Sequence, residues 1–126
     1  MLIATKVFEF EAAHCLPKYN GLCKKLHGHR WKLEVSVKTI ADKLDEQDMI
    51  MDFSELKKIV MDWVINKLDH SYINEVLDLR SEEQPTAEVM VKSIADHIQP
   101  VLPEGIKLYR LKLWETSTSY IEWGPL

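Results

Sequence analysis

The feature that most constrains this fold is the strict alternation of apolar and polar residues between residues 30 and 39. The apolar positions are Trp31, Leu33, Val35 and Val37, and the polar positions are Arg30, Lys32, Glu34, Ser36 and Lys38. Because side chains on a strand alternate between two faces, this pattern predicts a β-strand with one buried face and one face in water. Residues 3–14 repeat the pattern, with Phe8, Phe10 and Ala12 on one face and Glu9 and Glu11 on the other.

Three of the five histidines lie in phase with the buried faces of these two strands. His14 ends the first strand, and His27 and His29 lead into the second. If the strands pair antiparallel, the three imidazoles meet at one end of the buried face. A lone histidine on an apolar face is usually a hydrogen-bonded core residue, but three in phase favour a metal site. Three histidines and one open position form a catalytic zinc site, although ligand type alone leaves iron, nickel and copper open.

Two amphipathic helices are predicted in the middle of the chain. Asp52 and Glu55 form a capping-box pattern after a charged connection over residues 40–51. A stripe of apolar residues follows at helical spacing: Phe53, Leu56, Ile59, Val60, Trp63, Val64 and Leu68. After a loop over residues 71–85, Thr86 is a second N-cap candidate, and its helix ends at Pro100.

Two more strands are predicted over residues 106–115 and about 118–124. In the first of them, Tyr109, Leu111 and Leu113 share one face. The order ββααββ predicts an α+β fold, with a four-stranded antiparallel sheet covered on one side by two helices.

Glu115 continues the apolar face of that strand, where an unpaired carboxylate is costly. Either it lies in water past the strand end or in a salt bridge, or it anchors a ligand with adjacent N–H donors.

The pair Asp69-His70 ends the first helix, where a cation also suits the helix C-terminus. As a catalytic pair, Asp69 would set the tautomer of His70. Sequence neighbours do not face each other on a helix, so the pair needs a turn at 69–71 or a role across subunits.

Cys23 lies four residues before His27 and has two interpretations. As a fourth metal ligand it would close the site and make it structural. As a thiolate beside an open site it would be a nucleophile or base, and nearby cations lower a thiol pKa. Five basic residues lie near it: Lys18, Lys24, Lys25, Arg30 and Lys32. They indicate either an anionic substrate such as a phosphate ester or a solvated loop. Cys15 is expected to point away from His14.

Composition limits the function classes. A length of 126 residues predicts one domain over 1–126, and a net charge of −4 gives no general case for nucleic-acid binding. No stretch resembles a signal peptide or approaches a membrane span, so we expect free thiols and a cytoplasmic location.

At these positions the chain resembles the 6-pyruvoyl-tetrahydropterin synthase family, most closely its bacterial branch that makes 6-carboxy-5,6,7,8-tetrahydropterin for queuosine and 7-deazapurine biosynthesis. The resemblance covers nearly the whole chain. Its motifs are Phe10-Glu11-Ala12-Ala13-His14, Cys23-x-x-x-His27-Gly28-His29, Met51-Asp52-Phe53, Leu68-Asp69-His70, Pro85-Thr86-Ala87-Glu88 and Trp114-Glu115-Thr116. The three-residue spacer after Cys23 is similar to that of the queuosine branch.

This resemblance implies a tunnelling (T-fold) domain that binds pterins and assembles into trimers or hexamers, with sites between subunits. The implied zinc ligands are His14, His27 and His29. The implied catalytic residues are Cys23 and a proton relay of Asp69 and His70. The implied pterin-binding residues are Glu115 as the anchor, with Thr86 and Glu88 shaping the pocket.

The implied substrate is 7,8-dihydroneopterin triphosphate, and the implied reaction releases triphosphate and acetaldehyde to leave 6-carboxy-5,6,7,8-tetrahydropterin. Two alternatives stay open at this stage. One is a 6-pyruvoyl-tetrahydropterin synthase, which eliminates triphosphate and keeps the carbon chain. The other is a non-catalytic module with a structural Cys-His₃ zinc site. An aldolase-type cleavage is disfavoured because no glutamate lies between Cys15 and His29.

Overall fold

The computed structural model describes residues 1–125 and contains one five-stranded sheet. The strands are β1 (Ala4–His14), β2 (His27–Thr39), β3 (Ser71–Tyr72), β4 (Ile106–Thr116) and β5 (Ser119–Trp123). Their order across the sheet is β3-β1-β2-β4-β5. The helices are α1 (Phe53–Val60), α2 (Asn66–Leu68), α3 (Ile73–Val76) and α4 (Ala87–Ile98). The predicted α+β class is confirmed.

The sheet is mixed rather than wholly antiparallel, because β3 pairs in parallel with the end of β1. The prediction of four strands missed β3, which lay in the predicted loop. A strand of two residues is too short to show alternation, so the sequence carried no signal for it. Its position matters because it follows His70 directly and lies against Ala12 and Ala13.

The antiparallel register of β1 and β2 places His14 opposite His27, and Ala12 opposite His29. This register brings the three histidines to one end of the buried face, as the sequence predicted for an antiparallel pair. Between β2 and β4 the register shifts at Ser36 and Val37, which marks a β-bulge. Leu108 rather than Tyr109 is therefore buried at the start of β4, so the predicted position of Tyr109 on the buried face is wrong.

The helices cover one face of the sheet. Their buried residues include Leu56, Val60, Met90, Ile94 and Ile98, which belong to the same core as Trp31, Leu33, Leu111 and Leu113. Between α1 and α2 the helix widens into a π-helical turn, Met61–Ile65. The extra residue of a π turn shifts the helix phase. Accordingly Ile65 is buried, while Trp63 of the predicted stripe is 49% exposed. Phe53, which begins α1 ahead of the π turn, is 53% exposed and also lies outside the core.

Two N-caps hold the starts of the main helices, as the sequence predicted. The Asp52 carboxylate accepts a hydrogen bond from the Ser54 N–H, and the Thr86 hydroxyl accepts one from the Val89 N–H. Within residues 1–125, no helix is long and apolar enough to cross a membrane.

Candidate metal centre

The three histidines converge at the end of the β1–β2 pair. His14 is fully buried, and His27 and His29 are half-buried. One nitrogen from each ring can serve as a ligand, and these three atoms all lie within 4.8 Å of one another. The convergence predicted from strand alternation is therefore confirmed, and the triad could hold a metal ion.

Backbone carbonyls fix the ring orientation of two of these histidines. His14 Nδ1 lies 2.8 Å from the Pro85 carbonyl oxygen, and His27 Nδ1 lies 2.7 Å from that of Lys25. Since a carbonyl only accepts, each Nδ1 carries the proton, and each Nε2 presents a lone pair. The Nε2 atoms of all three rings are buried and lack a hydrogen-bond partner among residues 1–125. Orphaned buried nitrogens in this arrangement fit a metal ion.

The surroundings of the triad favour neutral imidazoles. Burial is the main cause that lowers the pKa of His14 and of His29, and the negative charge of Glu115 opposes it at both rings. Trp31 packs edge-on against both rings, with centroid distances of 5.2 and 5.3 Å. A neutral imidazole is the form that binds a metal.

Glu115 lies beside the triad. Its side chain is 28% exposed, and its Oε1 is 3.4 Å from His29 Nε2. The contact lacks hydrogen-bond geometry. Of the alternatives that the sequence left open, full solvation past the strand end is wrong, because Glu115 belongs to β4 and faces an imidazole.

Asp69 and His70 contact each other through the turn that the sequence analysis required. His70 adopts a left-handed backbone conformation with φ of 58°, which is uncommon for a residue with a side chain. Its Nδ1 is 3.0 Å from Asp69 Oδ1. The same carboxylate oxygen accepts from the Glu11 N–H at 3.0 Å, and this bond is the main cause of the lowered pKa of Asp69. The pair is thus bound to β1, while the His70 side chain is 76% exposed.

Cys23 lies in a short 3₁₀ turn, Leu22–Lys24, and is half-buried. Its carbonyl accepts a hydrogen bond from the Leu16 N–H at 2.8 Å, which closes the loop between β1 and β2. Within the described residues, its sulfur does not belong to the ligand cluster of the three imidazoles. Both cysteines of the chain are free thiols. Cys15 Sγ lies 3.2 Å from the Tyr72 hydroxyl, on the side of β3.

Two neighbouring grooves share Gly28, His29 and Arg30 among their lining residues. One has a volume of about 540 Å³ and adds Glu9, Lys32, Trp114, Glu115, Thr116 and Ser117. The other, of about 530 Å³, adds Glu11, Ala12, Ala13, His70 and Ser71. His29 therefore lies between a groove that holds Glu115 and a groove that holds His70.

Comparisons with known proteins identify the family of this chain. The sequence profile of the family described as "6-pyruvoyl tetrahydropterin synthase" matches residues 3–125. The chain belongs to this family. It is 40% identical to the 6-carboxy-5,6,7,8-tetrahydropterin synthase of Synechocystis over 123 residues, which cover 94% of this chain and 90% of that protein.

Two further members of the family are informative. A protein of Pyrococcus furiosus named dihydroneopterin monophosphate aldolase is 37% identical over 113 residues, or 90% of this chain and 89% of that one. The structure of the Caenorhabditis elegans 6-pyruvoyl tetrahydropterin synthase superposes with a TM-score of 0.76 at 22% identity, covering 99% of this chain and 96% of its own. That likeness confirms the fold.

Three positions that the family resemblance singled out lie outside both grooves. Thr86 caps α4, and Glu88 is exposed in the first turn of the same helix. Cys23 is also missing from the lining of the two grooves, as far as the described residues show. One subunit alone therefore does not bring these residues together with Glu115 around a single groove.

Sequence reasoning missed Pro85, whose carbonyl orients His14 across a separation of 71 positions. A backbone carbonyl carries no residue-type signal, so neither composition nor spacing could identify it. The only hint was that Pro85 directly precedes the N-cap of α4.

The basic residues near Cys23 do not form one free patch. Lys18 bonds to the backbone carbonyl of Glu82 and lies 3.9 Å from its carboxylate. Arg30 pairs with Glu9 at 2.8 Å. The Lys32 ammonium lies 5.2 Å from the centre of the Trp114 ring, and Lys32 lines the groove that holds Glu115. Lys32 is therefore better placed than Lys18 or Arg30 to meet an anionic ligand.

Proposed function

We propose that this chain is a lyase of the 6-carboxy-5,6,7,8-tetrahydropterin synthase type that acts in queuosine and 7-deazapurine biosynthesis. It converts 7,8-dihydroneopterin triphosphate into 6-carboxy-5,6,7,8-tetrahydropterin and releases triphosphate and acetaldehyde. The observation that carries the proposal is the convergence of three buried, unpartnered Nε2 atoms beside Glu115, within the part of the chain that is described. The name of the Synechocystis relative supports it.

The triad fits a resident metal ion, and we propose zinc on His14, His27 and His29. An all-nitrogen triad with one further position suits zinc in catalytic sites. When bound, zinc supplies Lewis acidity toward the hydroxyl groups of the substrate side chain. The carbonyls of Pro85 and Lys25 orient two of the rings for this task.

Side chains of this protein carry out the proton transfers of the proposed reaction. The Cys23 thiolate takes and returns protons at the substrate side chain and at the pterin ring, and His70 is its partner acid or base. The Asp69 carboxylate lies 3.0 Å from His70 Nδ1 and favours the tautomer with the proton on Nδ1, which leaves Nε2 free to exchange a proton. The Glu11 N–H holds Asp69 in that orientation.

Substrate binding uses the groove between β2 and β4. The two oxygens of the Glu115 carboxylate accept hydrogen bonds side by side from the pterin amino group and ring N–H. The Lys32 ammonium, which lies along the same groove, binds the triphosphate.

The active site is completed by neighbouring subunits in a trimer or hexamer. His70 is largely exposed, and Cys23, Thr86 and Glu88 lie outside the grooves of their own subunit. Packing of a second subunit against the exposed relay would bring these groups to one substrate. The cytoplasmic location expected from the sequence stays a prediction.

A second candidate activity is aldolase-type cleavage, because the Pyrococcus furiosus relative at 37% identity is named a dihydroneopterin monophosphate aldolase. The absence of glutamate between Cys15 and His29 disfavours it. A 6-pyruvoyl-tetrahydropterin synthase is disfavoured by the three-residue spacer after Cys23. The structural Cys-His₃ alternative is disfavoured because the Cys23 sulfur lies outside the cluster of ligand atoms in the described chain.

Product identification separates these activities. Purified protein is incubated with 7,8-dihydroneopterin triphosphate, and the pterin products and acetaldehyde are measured by chromatography and mass spectrometry. The proposal predicts 6-carboxy-5,6,7,8-tetrahydropterin together with acetaldehyde. A 6-pyruvoyl product without acetaldehyde would identify the sister activity, and glycolaldehyde would identify the aldolase. Protein stripped of metal by a chelator is the control and should give no product.

A further inference from the structure

The position of Glu115 relative to His29 points to a role in the substrate-free state. Glu115 Oε1 lies 3.4 Å from His29 Nε2, but the two atoms lack hydrogen-bond geometry. In a tetrahedral zinc site with bonds of about 2.0–2.1 Å, two ligand atoms are about 3.3–3.4 Å apart. The separation of these two atoms therefore equals that of two ligands on one metal ion.

The surroundings of this contact support such a role. The side chains of His29 and Glu115 are 18% and 28% exposed, so water competes only partly for the carboxylate. The carboxylate charge acts on His14 as well as on His29. Glu115 lies outside the set of ligand atoms that are all within 4.8 Å of one another, so its side chain must move if it is to share a metal ion with all three histidines.

We propose that Glu115 is the fourth metal ligand while the site holds no substrate, and that substrate displaces it. The inference rests on the proposed metal site and deepens it. Zinc accepts carboxylate oxygen beside imidazole nitrogen, at bonds of about 2.0–2.2 Å. Once displaced by the hydroxyl groups of the substrate, the carboxylate is free to accept from the pterin N–H groups. Glu115 would then occupy the fourth coordination position in the absence of substrate and bind the pterin ring in its presence.

Cobalt(II) provides the test, because its visible absorption reports coordination number and because it needs no turnover. Metal-stripped wild-type protein, Glu115→Ala and Glu115→Gln are titrated with cobalt in the absence of substrate. We expect an intense four-coordinate spectrum for the wild type. We expect both variants to bind cobalt at least about ten-fold more weakly, a loss of the size that follows removal of a supporting group at a metal site. Glu122→Gln, which changes a carboxylate on β5 that pairs with Lys112, is the matched control and should behave as the wild type.

Added acetate separates direct ligation from a general effect of charge. In Glu115→Ala, millimolar acetate should restore the wild-type spectrum by filling the vacated position, and it should leave the wild-type spectrum unchanged. Variant spectra that match the wild type, or a wild-type spectrum that shifts with acetate, would overturn the inference. Failure of the wild type to bind cobalt at all would instead refute the proposed metal site. Circular dichroism confirms that each variant is folded.

Discussion

The capping residue of α4 offers a sharp test of how the fold orients the metal site. Thr86 accepts a hydrogen bond from the Val89 N–H at 3.2 Å, and the preceding carbonyl, that of Pro85, accepts from His14 Nδ1 at 2.8 Å. In Thr86→Ala the cap is lost, so the start of the helix and the Pro85 carbonyl are held less firmly. We expect two separate consequences, one for the stability of the fold and one for metal affinity.

The stability change follows from the lost cap. Replacing a threonine N-cap by alanine costs about 1 kcal/mol in the free energy of unfolding. For a chain of 126 residues, this corresponds to a decrease of about 3–5 °C in Tm. Weaker orientation of a ligand ring by its carbonyl partner typically lowers metal affinity by about ten-fold.

Two assays separate the consequences. Thermal unfolding of the metal-free protein gives the Tm, and competition with a chromophoric chelator gives the zinc dissociation constant. Asp52→Ala removes the N-cap of α1 and is the matched control, which should lower the Tm without changing zinc affinity. If Thr86→Ala lowers the Tm and leaves zinc affinity at the wild-type value, the argument that the helix start orients His14 is wrong.

Three further predictions follow from the site. Cys23→Ala should retain zinc and lose turnover, whereas Cys15→Ala should keep both; zinc loss with unfolding in the first variant would favour a structural site. Lys32→Gln should raise the KM for the triphosphate substrate and leave the binding of unphosphorylated dihydroneopterin unchanged, and equal losses for both ligands would exclude a phosphate contact. Burial lowers the pKa of His14 and His29 below their ordinary value of 6.5, so below that pH the unfolded chain binds more protons than the folded chain. The metal-free protein should therefore lose stability as the pH falls below 6.5, with a weaker pH dependence in His14→Gln, as thermal unfolding across pH 5 to 7 will test.

Local patterns in the sequence predicted the elements that carry the triad. Alternation on β1 and β2 fixes which residues face the core, and a register slip of one residue would turn every side chain to the opposite face. That constraint brings His14, His27 and His29 to one end of the buried face once the strands pair antiparallel, whereas the exact partner of His14 follows from the register. The two N-caps could also be predicted, because Asp52 and Thr86 accept hydrogen bonds from backbone N–H groups no more than three residues away.

The features that the sequence did not predict depend on contacts or backbone geometry that no residue type encodes. The bulge that exchanges Leu108 for Tyr109 arises where β2 meets β4, and alternation within one strand does not report it. The strand β3 exists only because Ser71 and Tyr72 lie against β1. The carbonyl of Pro85 reaches His14 through tertiary packing of α4 on the sheet.

The proposed roles of Cys23, Thr86 and Glu88 require a second subunit. Strand and helix periodicity describe a single chain, and within one chain these residues lie outside the two grooves that border His29. Their roles were assigned from the family resemblance rather than from periodicity.

The central claim is that cleavage of the pterin side chain takes place at one metal ion held by three imidazoles. The most direct measurement titrates zinc back into metal-stripped protein and records acetaldehyde released from 7,8-dihydroneopterin triphosphate at each addition. The account predicts that release rises in proportion to zinc and reaches its maximum at one zinc ion per chain. Acetaldehyde release from metal-free protein, or none at full zinc occupancy, would contradict it.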